Sequence, residues 1–501
     1  MSSSNLINNY LQLTSRFEQI GHLNNLLGII HWDYSVNLPK KSAASRQQEI
    51  TTLSSVIHKL LTCETTVNLI TAAEQDTAVL DIWQQANFRE MKRQFLHASC
   101  VSEELQARHC HTVTNCEFVW REARQNNDFN LLRPHLQQVV DVTKEIAEIK
   151  AEYFNMPKYD VLIDSYDPDS SSAEIKSVYA VLKQQLPKLL EKILAKQRQE
   201  KLLPITEPMS VPEQKMLGKK IMEIMGFDFT RGRLDESTHP FCGGTADDVR
   251  LTTRYEENNF LSGLLGVIHE TGHGLYELNL PLEYRNQPVG KAKGMAFHES
   301  QSLIMEMQAA KSREFTEFLA KILRDELGLR GTEYSGTNIY QLLTLVKPDF
   351  IRVDADEVTY PLHVIMRFEL EEAFIEGDLT VDDLPMLWNQ KMQEYLGIIP
   401  SSYQEGCLQD IHWPWGAFGY FPSYTNGAII AAQLMAKAKE VYPDIPSALQ
   451  KGDFSSLNLF LTQNLRQYGS LKTSKALLQD ATGYDTIQPE IFMQYLTNKY
   501  L

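Results

Sequence analysis

Apolar residues return every three or four positions through most of this 501-residue chain, and that period commits it to helices. Leu6, Tyr10, Leu13, Phe17 and Ile20 fall on one helical face. The stretches 42–61, 102–125, 136–154, 172–198 and 303–327 repeat the pattern, with charged residues opposite. Two-residue alternation is clear in one place. Val249, Leu251 and Tyr255 follow the turn signal Cys242-Gly243-Gly244 and predict a strand over 249–255. The expected architecture is mainly α, with a small β-sheet near residues 228–256. The breaks at 164–172 and 200–212 read as loops between helices, and no low-complexity linker or fixed-period repeat marks a seam.

Composition removes several classes of function. Lys and Arg number 48 against 64 Asp and Glu, a net charge of −16 with no basic block, so the chain lacks the footprint of a nucleic-acid binder. At 43% hydrophobic residues it is not a disordered chain. The apolar run Leu26-Leu27-Gly28-Ile29-Ile30 stops at His31-Trp32-Asp33, and no run reaches the roughly 18–20 residues of a membrane helix. Met1-Ser2-Ser3-Ser4-Asn5 has neither the basic nor the apolar segment of a secretion signal. The six cysteines include no CxxC pair, which suits free thiols in a reducing compartment. A cytoplasmic protein without membrane or nucleic-acid partners is expected.

His269-Glu270-Thr271-Gly272-His273 carries the chemistry. Phe260, Leu261, Leu264, Leu265 and Ile268 precede it at helical spacing, and Pro281 supplies a stop. On a helix, positions i and i+4 project from one face, so both imidazoles reach one metal ion, with Glu270 placed to take a proton from water. Gly263, Gly266, Gly272 and Gly274 each disfavour helix by up to ~1 kcal/mol relative to Ala, which points to close approach by a neighbour or substrate. A catalytic zinc site needs a third protein ligand. Glu277 fits poorly, because 269, 273 and 277 span ~12 Å along a helix. Tyr276 and Asn279 break the metzincin pattern. Glu299, expected to open the next helix, is the leading choice, with His298 as rival. His109-Cys110-His111 with Cys116 matches no zinc spacing and reads as helix surface, and Asp354-Ala355-Asp356-Glu357 is not a calcium loop.

At these residues the sequence resembles the carboxypeptidase Taq family of metallocarboxypeptidases. The resemblance runs in order through His239-Pro240-Phe241; Asp248, Arg250 and Thr252; the 269–273 motif; His298-Glu299-Ser300-Gln301; Ile351-Arg352-Val353-Asp354-Ala355-Asp356; and Gly406-Cys407-Leu408-Gln409-Asp410-Ile411-His412-Trp413. One departure stands out: Leu303-Ile304-Met305-Glu306 lacks the Trp of a Leu-Trp-Glu run, a change assigned to packing or dimer contacts. The resemblance implies a helical homodimer with a deep active-site cleft. It also implies release of single residues from peptide C-termini with Zn2+, cobalt or another divalent metal able to substitute. It assigns His269, His273 and Glu299 as metal ligands and Glu270 as general base and acid.

Recognition of a free C-terminus requires a positive anchor. Arg pairs bidentately with carboxylates, which makes Arg352 the first choice and Arg250 the second. Each has an ion-pair alternative, Arg352 with Asp354 and Asp356, Arg250 with Asp247 and Asp248. An exposed edge at 249–255 would also pair with a peptide backbone and give broad specificity. His412, Tyr420 and Tyr424 are candidates to stabilise the oxyanion. Residues 239–424 must then converge on one cleft, so 1–501 is expected to be a single catalytic domain, with N-terminal helices covering a C-terminal catalytic half. Two rival functions share the motif: a metallo-oligopeptidase cleaving internal bonds, and an inactive metal-bound scaffold.

Overall fold

A computed structural model describes residues 3–501. It is 69% helical, with a sheet of only three short strands. Helix Ser3–Val36 opens the chain, Ala43–Thr62, Glu103–Asn126 and Ser172–Gln197 follow close to their expected limits, and Phe129–Phe154 starts about two turns before the expected 136. The helix expected over 303–327 is broken. A π-turn covers Ile304–Ala310, and a new helix starts at Arg313 with the Ser312 hydroxyl accepting from the Phe315 amide. No described helix is long and apolar enough to cross a membrane.

The strands are β1 (Gly232–Glu236), β2 (Phe241–Thr245) and β3 (Asp248–Thr253), all inside the expected window. Their order is β1-β3-β2, with β1 parallel and β2 antiparallel to β3. The predicted strand is therefore the central one. Both its edges are occupied, so it cannot accept a peptide as an added strand. Alternation is legible in β3 because Val249 and Leu251 are fully buried against Phe227, Val267 and Leu278. The half-exposed β1 and β2 carry no such pattern.

Two large apolar cores lie on either side of helix Pro422–Val441. Ile429 and Ala432 face the first, built on helices Phe129–Phe154, Ser172–Gln197 and Tyr360–Glu376. Ile430, Leu434 and Met435 face the second, which holds Leu264, Ile268 and Leu275 of the motif helix. A smaller cluster ties the first helix to its successors through Tyr10, Leu13, Phe17 and Phe88. The same helix reaches the sheet, where Trp32 is buried under the guanidinium groups of Arg233 and Arg250.

Candidate metal centre and its neighbouring cationic cluster

The motif lies on helix Phe260–Leu278, which Asn259 caps by accepting from the Ser262 amide. Helix Gly294–Leu303 crosses it. A Cβ on Gly272 would stand 2.3 Å from the Gln301 carbonyl oxygen and 2.6 Å from Ser302 Cα, so only glycine permits the crossing. On the other side, a Cβ on Gly427 would meet Glu299 Cβ at 2.8 Å. These two glycines press the second helix between the motif helix and Pro422–Val441 and bring Glu299 to the histidines. Glu299 is the sixth residue of its helix, not its opening one, so the helix dipole does not account for it. The N-terminus is held instead by Asp167, whose Oδ1 accepts from the Ala296 amide at 2.6 Å.

One ligand atom from each of His269, His273 and Glu299 lies within 4.8 Å of the others. His269 Nε2 is 3.8 Å from Glu299 Oε1, and His273 Nε2 is 3.5 Å from Oε2. These gaps are long for hydrogen bonds. They approach the ~3.3 Å edge of a tetrahedron with ~2 Å metal–ligand bonds. The tautomers suit the same purpose. His269 Nδ1 donates to Glu306 at 2.9 Å and His273 Nδ1 to the His298 carbonyl at 3.1 Å, which leaves Nε2 of each ring as the atom facing Glu299.

The surrounding charge favours a cation. Burial pushes the Glu270 carboxyl up to about 7, and the charges of Glu299 and Glu306 add to this. Burial alone would depress His269, yet the hydrogen bond to Glu306 and the charges of Glu299 and Glu270 raise it to about 10. His273 moves the other way, to about 4, through burial and its neighbouring imidazoles. Three carboxylates thus face two imidazoles of which one is held neutral, and the residues present fit a divalent ion.

Sequence reading missed Glu306. It lies on the π-turn, with Lys311 at 2.9 Å on its other side. Burial opposes its ionisation, but Lys311 and His269 hold the carboxyl down at about 2. The residues next to the missing Trp therefore buttress His269 as well as pack. The C-terminal helix Pro489–Tyr500 braces this turn, since Lys499 Nζ donates to the Met307 carbonyl at 2.8 Å and pairs with Glu357 at 2.7 Å. His298 is stacked on His273 with ring centroids 4.5 Å apart, but its Nε2 is taken by Glu277 at 2.9 Å. Neither His298 nor Glu277 enters the three-ligand group.

Arg352, His412, Tyr420 and Tyr424 gather in one cluster beside Glu299, whose charge contributes to holding the Tyr420 and Tyr424 phenols un-ionised, after burial. Arg352 is 5% exposed. Its partner is neither Asp354 nor Asp356 but Asp410, reached by Nε at 3.0 Å and Nη2 at 2.9 Å, while Nη1 donates to Tyr360 at 2.7 Å. Asp356 instead holds the turn leading into helix Tyr360–Glu376, accepting from the Val358 and Thr359 amides. Arg367 grips the other Asp410 oxygen at 2.6 Å. His412 Nε2 meets the Tyr424 hydroxyl at 3.1 Å, and burial, then Arg352, lowers its pKa to about 3. Arg250 is elsewhere, clasped by Asp248 at 2.6 Å and stacked on Trp32 at 4.3 Å.

A helical framework presenting two histidines and a glutamate around a buried carboxylate defines a metallopeptidase centre. Residues 12–500 match the family described as Carboxypeptidase Taq (M32) metallopeptidase, and the chain belongs to that family. It is 33% identical over 484 residues to Carboxypeptidase 1 of Bacillus subtilis, covering 96% of each. Thermostable carboxypeptidase 1 of Thermus thermophilus is 32% identical over 504 residues, covering 98% of each. The solved structure of Trypanosoma cruzi metallocarboxypeptidase 1 superposes with a TM-score of 0.96 at 35% identity, across 98% of this chain and 99% of that one.

Proposed function

We propose that this chain is a cytoplasmic, homodimeric, single-unit zinc carboxypeptidase of broad specificity that releases one C-terminal residue per cleavage. The observation that carries the reading is the convergence of His269, His273 and Glu299, with each imidazole held through Nδ1 and turned by Nε2 to the carboxylate, beside buried Glu270. A divalent ion held by these three would polarise the scissile carbonyl and make water acidic enough to deprotonate near neutral pH. The Glu270 carboxylate takes that proton and later delivers it to the leaving amine nitrogen. Tyr420, Tyr424 or His412 donates to the developing oxyanion. Arg352 spends three of its five N–H donors on Asp410 and Tyr360, which leaves two for the terminal carboxylate of the peptide. Anchoring on a group that every peptide end carries supports broad specificity. Six free cysteines support the reducing compartment. The homodimer follows the family resemblance, and sedimentation velocity reads it directly.

The test is mass spectrometry of one peptide with a free and with an amidated C-terminus. Single-residue ladders from the free peptide alone are expected. Equal cleavage of the amide, or internal fragments, would overturn the reading. Glu270→Gln is expected to retain metal and lose about 10²–10⁴ in kcat.

A further inference from the structure

Behind the metal centre is a cavity of about 350 Å³, enclosed by helices Ser172–Gln197, Gly294–Leu303, Pro422–Val441 and Ser474–Thr482 and by residues 485–490. It does not open on the ligand atoms. Phe297, in its wall, is two positions from Glu299 and therefore about 200° around the same helix. The floor is apolar, formed by Ile175, Val178, Ala296, Phe297, Ile430 and Leu478. Two buried polar side chains interrupt it: Asp167, already accepting from the Ala296 amide and the Ser423 hydroxyl, and Asn426. Asn426 is 1% exposed, and its amide oxygen has no hydrogen-bond partner among the described residues. A buried amide left in this way is costly unless something in the cavity answers it.

The mouth is acidic. Lys475 is the one cation in the lining, and it is committed to Glu174 at 2.5 Å. Asp485 and Glu490, both exposed, form no salt bridge among the described residues. A largely apolar chamber with an unpartnered amide in its wall and surplus carboxylates at its rim selects an amphipathic cation. We propose that this cavity is a second ligand site, for a small organic amine with an apolar body, separate from the peptide site. The ammonium sits at Asp485 and Glu490, the apolar body lies between Val178 and Ile430, and a polar edge of the ligand meets Asn426.

Tryptamine and its neutral isostere tryptophol, titrated by calorimetry into the metal-loaded enzyme, test this. Tryptamine is expected to bind about fivefold more tightly, the scale of a partly screened charge contact. Ser177→Trp, on the exposed rim, is expected to weaken tryptamine at least about tenfold. The Asp485→Asn/Glu490→Gln pair should bring the two compounds level without touching the core. Saturating peptide on the Glu270→Gln variant should leave tryptamine affinity unchanged. No binding up to about 10 mM, equal binding of both compounds to the wild type, binding indifferent to Ser177→Trp, or displacement by peptide would each overturn the proposal. If Ser177→Trp fails to fold, the rim pair and the peptide competition decide.

Discussion

The metal centre and the Arg352 cluster are neighbours built on opposite principles. Around Asp410 the ion pairs are closed at 2.6–2.9 Å, and two guanidinium groups share one carboxylate, so the cluster keeps a surplus positive charge. Around Glu299 the imidazole nitrogens stand 3.5–3.8 Å from the carboxylate oxygens, and the carboxylates of Glu270, Glu299 and Glu306 crowd one site. A buried charge without compensation is expensive. On the proposed function, the first cluster would take the peptide carboxylate and the second a cation. A peptide end anchored at Arg352 beside Glu299 would have its last peptide bond near the histidines.

Arg352→Met attacks the positive half of this comparison. Losing a charge-assisted pair with the substrate should lower kcat/KM about 10–100-fold through KM, measured on a free-ended peptide. Arg250→Met should leave KM unchanged, because Asp248 and Trp32 already occupy that side chain. Equal losses in the two variants would erase the distinction. Glu306→Gln attacks the negative half. It removes the charge behind His269 and should weaken metal affinity about 10–100-fold, read by competition with a chelator. Gly272→Ala tests whether the gap geometry depends on helix contact. The overpacked crossing should cost about 1–3 kcal/mol in thermal unfolding and weaken metal binding with it.

Glu371 offers a third kind of buried charge. It accepts from Tyr159, Trp413 and the Gly419 amide, holding the loop that carries His412, and burial raises its carboxyl to about 7. The folded protein thus binds this proton more tightly than the unfolded chain does. Its stabilising effect is complete below the ordinary carboxyl range near 4.5 and is lost as pH rises through about 7. Glu371→Gln should flatten the fall in stability between pH 4.5 and 7, followed by denaturant midpoints.

The fold is most legible in the sequence where the relevant contacts are local. The 260–278 helix and the shared face of His269 and His273 follow from period and spacing within one element. Those signals failed at the Ile304–Ala310 π-turn, because an inserted residue changes the helical phase without changing the apolar pattern. They also failed for Arg352, whose sequence neighbours Asp354 and Asp356 turn away while Asp410 arrives from a distant loop.

By itself the sequence determined the helical class and the placing of His269 and His273 on one helical face, since both rest on short-range periodicity. Tertiary structure alone decided that β3 is central, that Glu306 buttresses His269 and that Asp410 joins Arg352 to Arg367. Those outcomes depend on which distant surfaces meet, and the steric demands at Gly272 and Gly427 set how closely they do.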